Sequence, residues 1–310
     1  MIRKNVILPI AVVLLAAACG GGAGKDKTGD DIADSTLAAR DTLALIVGVM
    51  PTLDCLPLYV ARDEGLFDSL QADVQLACYD DGLDCCRDFV AGLTDCCVTD
   101  LVRAGWMRAD GCDVAFVTAT DAYWILTANR LSRISRLNQL ADKTLAMTRF
   151  SVCDMLADMV ADSARLAADA VFRVQINNPK LRLKMIITNE IDAAVLTEPQ
   201  ASAARTAGHT PLIDSRNAPF RPGVIVSTES YLADRRHREL TERLKEAYNR
   251  AVERINSRGV KAYSDIIVKY MGADGKTVAA LPEITFDTVK APRPEDVAKA
   301  EQWVKSANNR

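Results

Sequence analysis

The sequence predicts an α/β protein of two similar lobes, each a mostly parallel sheet flanked by helices. From Leu43 onward, short apolar runs alternate with helical patterns, which is typical of strand–helix–strand units. Residues 95–100 and 192–198 repeat one pattern: an Asp, a small apolar strand, and a Thr followed by a carboxylate. Ligands bind outside the carboxyl ends of parallel strands, so we expect Thr99–Asp100 and Thr197–Glu198 to face a shared cleft.

The composition is that of a globular chain of 310 residues, long enough for two domains. It is 49% hydrophobic and 25% charged, with a net charge of −3. The absence of a basic excess argues against a nucleic-acid partner. His209 and His237 are the only histidines. A histidine-rich metal site or a histidine-based catalytic triad is therefore not expected.

The N-terminus has the pattern of a secretory leader. Arg3 and Lys4 precede an apolar run over residues 6–18, which is too short to span a bilayer. Three alanines then lead to Cys19, which resembles a bacterial lipobox with cleavage before Cys19 and lipid on its thiol. An ordinary signal peptide with a chance Cys is the alternative. We expect a signal peptide over 1–18 and a lipid-anchored tether over 19–42, on the periplasmic side or at the cell surface.

Cleavage there leaves eight cysteines, and two of them share a local pattern. Leu-Asp-Cys occurs at 53–55 and 83–85, where Asp is expected to cap a helix and Cys to lie in its first turn. Both helices follow neighbouring strands, so Cys55 and Cys85 are expected to lie close together. A Cys55–Cys85 disulfide, two free thiols and a bound metal remain open as interpretations. Cys86, Cys96 and Cys97 fall at positions typical of core packing.

The predicted elements divide the chain into a first lobe over 43–128 and 223–310 and a second lobe over 129–222. The second lobe opens with a strand near 143–147. Ser151 is the expected N-cap of the helix that follows, and a cap in this place can also contact a ligand. A long amphipathic helix over 234–257 and two terminal helices are expected to cover the first lobe.

Several stretches resemble one protein family when they are taken together in order. They are Pro51 to Phe67, the segment Phe-Val-Ala-Gly-Leu-Thr-Asp before a strand, 137–151 and 191–199. They resemble type II periplasmic substrate-binding proteins of ABC importers, in the subgroup for nitrate, sulfonate, taurine and thiamine-pyrimidine precursors. The resemblance implies a two-lobed fold with two crossover segments. It also implies a monomeric, cofactor-free, non-enzymatic receptor that captures a small organic solute and delivers it to an ABC permease.

Carried over onto this sequence, the resemblance implies a set of ligand-contacting residues that follow the strands of both lobes. They are Thr52, Asp54, Cys55, Asp84, Cys85, Thr99, Asp100, Phe150, Ser151, Asn177 and Glu198. We expect Asp100→Ala to lower ligand affinity with little change in thermal stability.

The acidity of this set favours a particular ligand. Arg149 is the one arginine that could match the anion-binding members, and buried carboxylates need partners. An aminopyrimidine or another amine- or amide-bearing ligand is therefore expected. Two other function classes stay open: an enzyme resembling pyrimidine-precursor synthases or lyases, and a thiol-based metal or cofactor carrier.

Overall fold

The computed structural model describes residues 44–167 and 169–308. The expected signal peptide, the lipidation site at Cys19 and the tether lie outside the described residues. The chain from Leu43 to Arg310 forms one compact unit. None of its described helices is both long and apolar enough to cross a membrane.

Ten strands in the described residues form two five-stranded sheets. In chain order they are β1 (Leu45–Val49), β2 (Val74–Cys78), β3 (Cys96–Asp100), β4 (Val114–Ala119), β5 (Ile125–Ala128), β6 (Lys143–Met147), β7 (Val171–Gln175), β8 (Ala193–Leu196), β9 (Thr210–Asp214) and β10 (Gly223–Thr228). The first sheet has the order β2-β1-β3-β10-β4 and the second the order β7-β6-β8-β5-β9.

The two sheets are built on the same plan. In the first, β1 is parallel to β2 and β3, and β10 runs antiparallel between β3 and β4. In the second, β6 is parallel to β7 and β8, and β5 runs antiparallel between β8 and β9. Each sheet therefore receives its antiparallel strand from the chain leaving the other sheet. The expected two mostly parallel sheets with two crossovers are confirmed.

The first crossover lies earlier in the chain than the sequence indicated. We expected the first lobe to extend to residue 128, but β5 pairs with β8 and β9 in the second sheet. All four residues of β5 are buried, and strands pair with both of its edges. The chain therefore changes sheets between Ala119 and Ile125.

Helices cover both sheets. Their bounds are α1 (Leu56–Asp63), α2 (Leu66–Ser69), α3 (Gly82–Val90), α4 (Leu101–Ala109), α5 (Val152–Ser163), α6 (Pro179–Ile187), α7 (Gln200–Thr206), α8 (Glu229–Ala233), α9 (Arg235–Arg258), α10 (Ser264–Met271), α11 (Gly275–Ala279) and α12 (Pro294–Asn308). The amphipathic helix α9 buries Leu240, Leu244 and Ala251 among the residues of the first core, as its periodicity predicts.

The strand cysteines are core residues. Cys96 and Cys97 are fully buried in β3, and Cys86 on α3 is buried in the same apolar cluster as Cys97, which confirms their predicted packing role. Gly48 in β1 leaves room for this packing, because a Cβ there would lie 2.7 Å from the Cys85 Sγ. The sulfur atom thus fills the space that a side chain at residue 48 would occupy.

Candidate functional site

A cavity of about 70 Å³ lies where strands of both sheets end. Its polar lining comes mostly from the last residues of β3 and from residues just beyond β1, β6, β7 and β8, as the fold class predicts. These residues are Thr52, Asp54, Thr99, Asp100, Thr148, Ser151, Asn177 and Thr197. One buried water needs roughly 10–15 Å³, so the cavity has room for several waters or a small ligand.

Two arginines supply the positive charge of this cavity. Arg103 on α4 and Arg182 on α6 line it and are only 7% and 4% exposed. Among the described residues, the Arg103 Nη2 and the Arg182 Nε have no hydrogen-bond partner. A buried guanidinium with an unpaired N–H is costly unless an acceptor reaches it. The cavity is therefore lined by two cationic side chains whose hydrogen bonding is incomplete among the described residues.

The surroundings of the two guanidinium groups hold them in place. Arg182 Nη1 donates to the Thr148 hydroxyl at 2.7 Å and to the Ile176 carbonyl at 2.8 Å. Burial lowers the pKa of Arg182, and the positive charge of Arg103 lowers it further. A bound anion would reverse both effects, because it would neutralise two cations that repel each other.

Asp100 links the two lobes by hydrogen bonds. Its Oδ1 accepts hydrogen bonds from the backbone N–H groups of Val102 and Arg103 on α4, at 3.0 Å each. The same oxygen accepts from the Val152 N–H at the start of α5, at 3.1 Å. Asp100 is therefore the N-cap of α4 and a link to the second lobe, in addition to lining the cavity.

Asp54 is a buried carboxylate of a different kind. It lies in a short 3₁₀ helix, Leu53–Cys55, and the N-cap of α1 is Cys55, so Asp54 is not the helix cap that the sequence indicated. It is 7% exposed, and burial raises its pKa, opposed by a hydrogen bond with the Thr52 side chain. No described lysine or arginine forms an ion pair with it. Asp54 therefore lines the cavity without a described lysine or arginine as its ion-pair partner.

The cavity brings together six of the eleven residues expected to contact a ligand. These six are Thr52, Asp54, Thr99, Asp100, Ser151 and Asn177. Ser151 has both expected features: its side chain accepts from the Cys153 N–H as the N-cap of α5, and it lines the cavity. Thr197 and Trp124, two other residues near the predicted cleft, line it as well.

Two of the remaining residues, Asp84 and Phe150, lie outside the cavity. Asp84 is not the cap of α3, since Asp81 accepts from the Leu83 and Asp84 N–H groups. The Asp84 side chain is exposed and pairs with Arg87 at 2.7 Å. Phe150 is 55% exposed and packs edge-on against Trp106, outside the cavity.

Glu198 is also outside the cavity. Its carboxylate accepts from the Ser202 N–H at 2.9 Å and from Arg205 at 3.1 Å, within the second lobe. The two Thr–carboxylate pairs therefore occupy equivalent positions in the two sheets, but their carboxylates have different roles. Thr99, Asp100 and Thr197 line the cavity, and Glu198 stabilises α7.

The cysteines expected at the cleft are core residues. Cys55 and Cys85 are fully buried and do not line the cavity. All eight cysteines of the described chain are free, which corresponds to the free-thiol interpretation and not to the Cys55–Cys85 disulfide. Hydrogen bonding with Cys97 lowers the pKa of the Cys86 thiol to about 7. Cys86 also lies 3.2 Å from the hydroxyl of Thr99, a residue of the cavity. Within the described ranges, no group of three or more His, Cys, Asp or Glu is arranged to hold a metal ion.

The sequence analysis did not predict that Arg103 and Arg182 line the cavity, and it therefore did not predict the positive charge that they bring to the site. Arg149, the expected candidate, is 41% exposed at its side chain and pairs with Asp154 at 3.1 Å, away from the cavity. Arg103 and Arg182 sit in the first turns of helices that follow cleft strands, and that position is the signal the sequence did offer. The argument for an amine-bearing ligand assumed that the cleft lacks arginine, and that assumption is wrong.

Comparison with known proteins agrees with this architecture. The family model described as "NMT1/THI5 like" matches residues 52–258, about two thirds of the chain. No curated protein sequence gives a significant match.

Solved structures share the fold at low sequence identity. The periplasmic aliphatic sulphonate binding protein SsuA from Escherichia coli is 17% identical, with a TM-score of 0.70 over 86% of this chain and 92% of its own. The periplasmic nitrate-binding protein NrtA from Synechocystis PCC 6803 is 9% identical, with a TM-score of 0.67 over 87% and 81%. The desulfurization enzyme DSZB is 14% identical, with a TM-score of 0.56 over 86% and 92%. At these identities the likeness shows the two-lobed periplasmic-binding-protein fold.

Proposed function

The chain belongs to the NMT1/THI5-like family, and on that premise we propose that it is a solute-binding receptor for a small anion. The observation that carries the proposal is that two buried arginines, Arg103 and Arg182, line the cavity, and that each has a buried N–H without a hydrogen-bond partner among the described residues. Asp100 lies 3.8 Å from the Arg103 Nε, whereas Arg182 has no ion-pair partner among the described residues, and an anion that accepts from both arginines would supply the missing counter-charge. By their names, SsuA binds an aliphatic sulphonate and NrtA binds nitrate, and both of these ligands are anions.

This proposal replaces the aminopyrimidine expected from the sequence. A neutral aminopyrimidine presents ring nitrogens and amino groups and carries no negative charge for two guanidinium groups. A sulfonate, carboxylate or nitrate group presents several acceptor oxygens. A cavity of about 70 Å³ has room for a small organic anion.

We propose that the receptor works outside the cytoplasm as a monomer and delivers its ligand to an ABC permease. In this proposal residues 1–18 are removed and Cys19 carries the lipid that anchors the tether. The support is the lipobox-like sequence at 16–19 and the fold shared with periplasmic binding proteins. Fractionation of host cells provides the test: wild-type protein should be recovered with membranes, and Cys19→Ala should be released. Equal membrane recovery of the two contradicts the anchor.

Binding without turnover is favoured over catalysis by the location of the histidines. The His209 Nδ1 accepts from the Arg130 N–H, and His237 lies in the first turn of α9. Both are away from the cavity lining. General acid–base chemistry would then depend on buried carboxylates that also hold structure, as Asp100 does.

The test is a calorimetric titration of the purified protein with nitrate, methanesulfonate, sulfate and acetate. We expect at least one to bind, and we expect Arg182→Gln to weaken that binding about 100-fold, because a charge-assisted bond to the ligand is lost. Arg149→Gln is the matched control, since Arg149 follows the cavity residue Thr148 in the chain but does not line the cavity, and it should bind as wild type does.

Thermal unfolding of the ligand-free variants separates binding from folding. If Arg182→Gln does not fold, Arg103→Gln takes its place in the titration. The proposal is wrong if no anion of the panel binds wild type, or if removing either cavity arginine leaves binding unchanged.

A further inference from the structure

A groove beside the cavity combines apolar, cationic and thiol side chains. It is about 470 Å³ in volume, and Arg103 lines both the cavity and this outer groove. Val90 and Phe150 line the outer groove and are each 55% exposed, whereas Cys86 in the same lining is only 6% exposed. The outer groove therefore places open space against a thiol that otherwise belongs to the core.

The surroundings of the Cys86 sulfur favour its thiolate form. The Cys86 Sγ lies 3.2 Å from the Thr99 hydroxyl. Hydrogen bonding with Cys97 lowers the pKa of Cys86 to about 7; burial and the charge of Asp100 oppose this shift, while the charge of Arg103 adds to it. Burial raises the pKa of Cys97 well above its usual range, so Cys97 keeps its proton and donates. A large fraction of Cys86 is therefore thiolate near neutral pH, which is the reactive form of a cysteine.

Arg103 supplies a second feature of the outer groove, a buried donor whose hydrogen bonding is incomplete. Its side chain is 7% exposed as a residue, and its Nη2 has no hydrogen-bond partner among the described residues. Its Nε lies 3.8 Å from Asp100. Burial would lower the pKa of Arg103, but the charges of Cys86 and Asp100 raise it, so the guanidinium stays charged. A carboxylate on a molecule in the groove would give Arg103 a further acceptor.

We propose that Cys86 is a modification site that undergoes thiol–disulfide exchange with small disulfides that carry carboxylate groups and enter through the outer groove. The Cys86 thiolate attacks one sulfur of R–S–S–R, whose S–S bond breaks as a new S–S bond forms to Cys86. The other half leaves as R–S⁻ and takes up a proton from water. Cys86 is oxidised and the released half is reduced, so the disulfide itself is the oxidant. This site is separate from the proposed function, because it does not depend on what the cavity binds.

Two other cysteines of the described chain are more accessible than Cys86. Cys78 is exposed, and Cys112 is intermediate in exposure. Burial and the charge of Asp113 raise the pKa of Cys112, which lowers its thiolate fraction. If accessibility alone decided reactivity, these two thiols would react first. The proposal predicts the opposite order.

The experiment treats the purified, fully reduced protein with 3,3′-dithiodipropionate near neutral pH and follows each cysteine by peptide mass spectrometry. We expect Cys86 to gain one R–S group about 3- to 10-fold faster than Cys78 and Cys112. Its larger thiolate fraction outweighs the lower nucleophilicity of a thiol with a lower pKa. Modification of Cys78 or Cys112 before Cys86 overturns the proposal, as does modification of Cys86 only after denaturation.

A second reagent tests the preference for carboxylates. The diamide of 3,3′-dithiodipropionate has the same chain without the charges. The ratio of the two rates at Cys86, divided by the same ratio at Cys78, removes the intrinsic difference between the reagents. We expect a preference of about 3- to 10-fold for the dicarboxylate, because Arg103 forms a charge-assisted hydrogen bond with it. Equal corrected rates overturn the assignment to carboxylate-bearing disulfides.

Variants then assign the preference to Arg103. Arg103→Gln should reduce the corrected ratio to about one, and a preference that survives overturns the role of Arg103. Cys112→Ser is the matched control and should keep both the rate and the preference at Cys86. The two comparisons on wild-type protein decide the proposal even if Arg103→Gln does not fold. They measure covalent modification and not affinity, so their failure leaves the calorimetric test of the proposed function unaffected.

Discussion

At the scale of single residues, the cavity uses each carboxylate differently. The Asp100 Oδ1 accepts hydrogen bonds from three backbone N–H groups. Asp54, in contrast, caps no helix, and Glu198 pairs with Arg205. The sequence presents all three as acids that follow strands, so their roles are indistinguishable before the helix starts are known. What separates them is the number of local donors that each carboxylate meets.

Asp100 consequently requires a different prediction from the one its sequence position indicates. Asp100→Ala leaves the N–H groups of Val102, Arg103 and Val152 without their acceptor in a buried place. We expect the free energy of unfolding of the ligand-free protein to fall by about 1–3 kcal/mol, measured by urea denaturation. If Asp100→Ala lowers ligand affinity but leaves the free energy of unfolding unchanged, this prediction is wrong and Asp100 acts only as a ligand contact.

The matched control for Asp100 is Asp84→Ala. Asp84 is also a first-turn acid near a cleft strand, but its side chain is about half exposed and pairs with the exposed Arg87. Surface pairs of this kind contribute little, so we expect a change within about 0.5 kcal/mol.

At the scale of elements, the periodicity of the sequence predicted the strands and their order. It did not predict the residue at which each helix begins. The strands from β1 to β10 are short apolar runs between turn residues, and their order follows from the alternation with helices. The caps of α1 and α3 were misplaced because Leu-Asp-Cys occurs at both sites. In the structure, α3 begins three residues earlier, at the Asp81 cap, and α1 begins after a 3₁₀ turn.

The arginines show why the site itself was harder to predict than the sheets. Arg103 and Arg182 reach the cavity only because α4 and α6 begin where they do and present their first turns to it. A shift of one residue in either helix start turns the side chain by about 100° around the helix axis. Arg149 had a similar sequence context and points elsewhere, to Asp154.

At the scale of the whole molecule, polar contacts beside the cavity join the two lobes, in addition to an apolar cluster that contains residues of both sheets. The Leu53 N–H donates to the Glu198 carbonyl at 2.9 Å, and the Gln200 side chain donates to the Pro51 carbonyl at 3.0 Å. Together with the Asp100 bond to Val152, these contacts link residues beyond β1 and β3 to the starts of α5 and α7. A ligand must therefore enter before these contacts form, and the contacts contribute to its affinity without touching it.

This arrangement predicts a mutation that lowers affinity from outside the site. Gln200 is buried, does not line the cavity and donates its inter-lobe hydrogen bond from Nε2. Gln200→Ala should destabilise the closed arrangement by about 1 kcal/mol, so we expect calorimetry to show roughly 5- to 10-fold weaker binding of the anion that wild type binds. Small-angle scattering of the ligand-free variant should show a larger radius of gyration than wild type.

Gln139→Ala is the control, because Gln139 accepts its hydrogen bonds from Ser135 and Arg136 within one lobe and should leave affinity unchanged. If Gln200→Ala binds as wild type does, the contacts between the lobes form independently of the ligand, and affinity is set by the cavity residues alone.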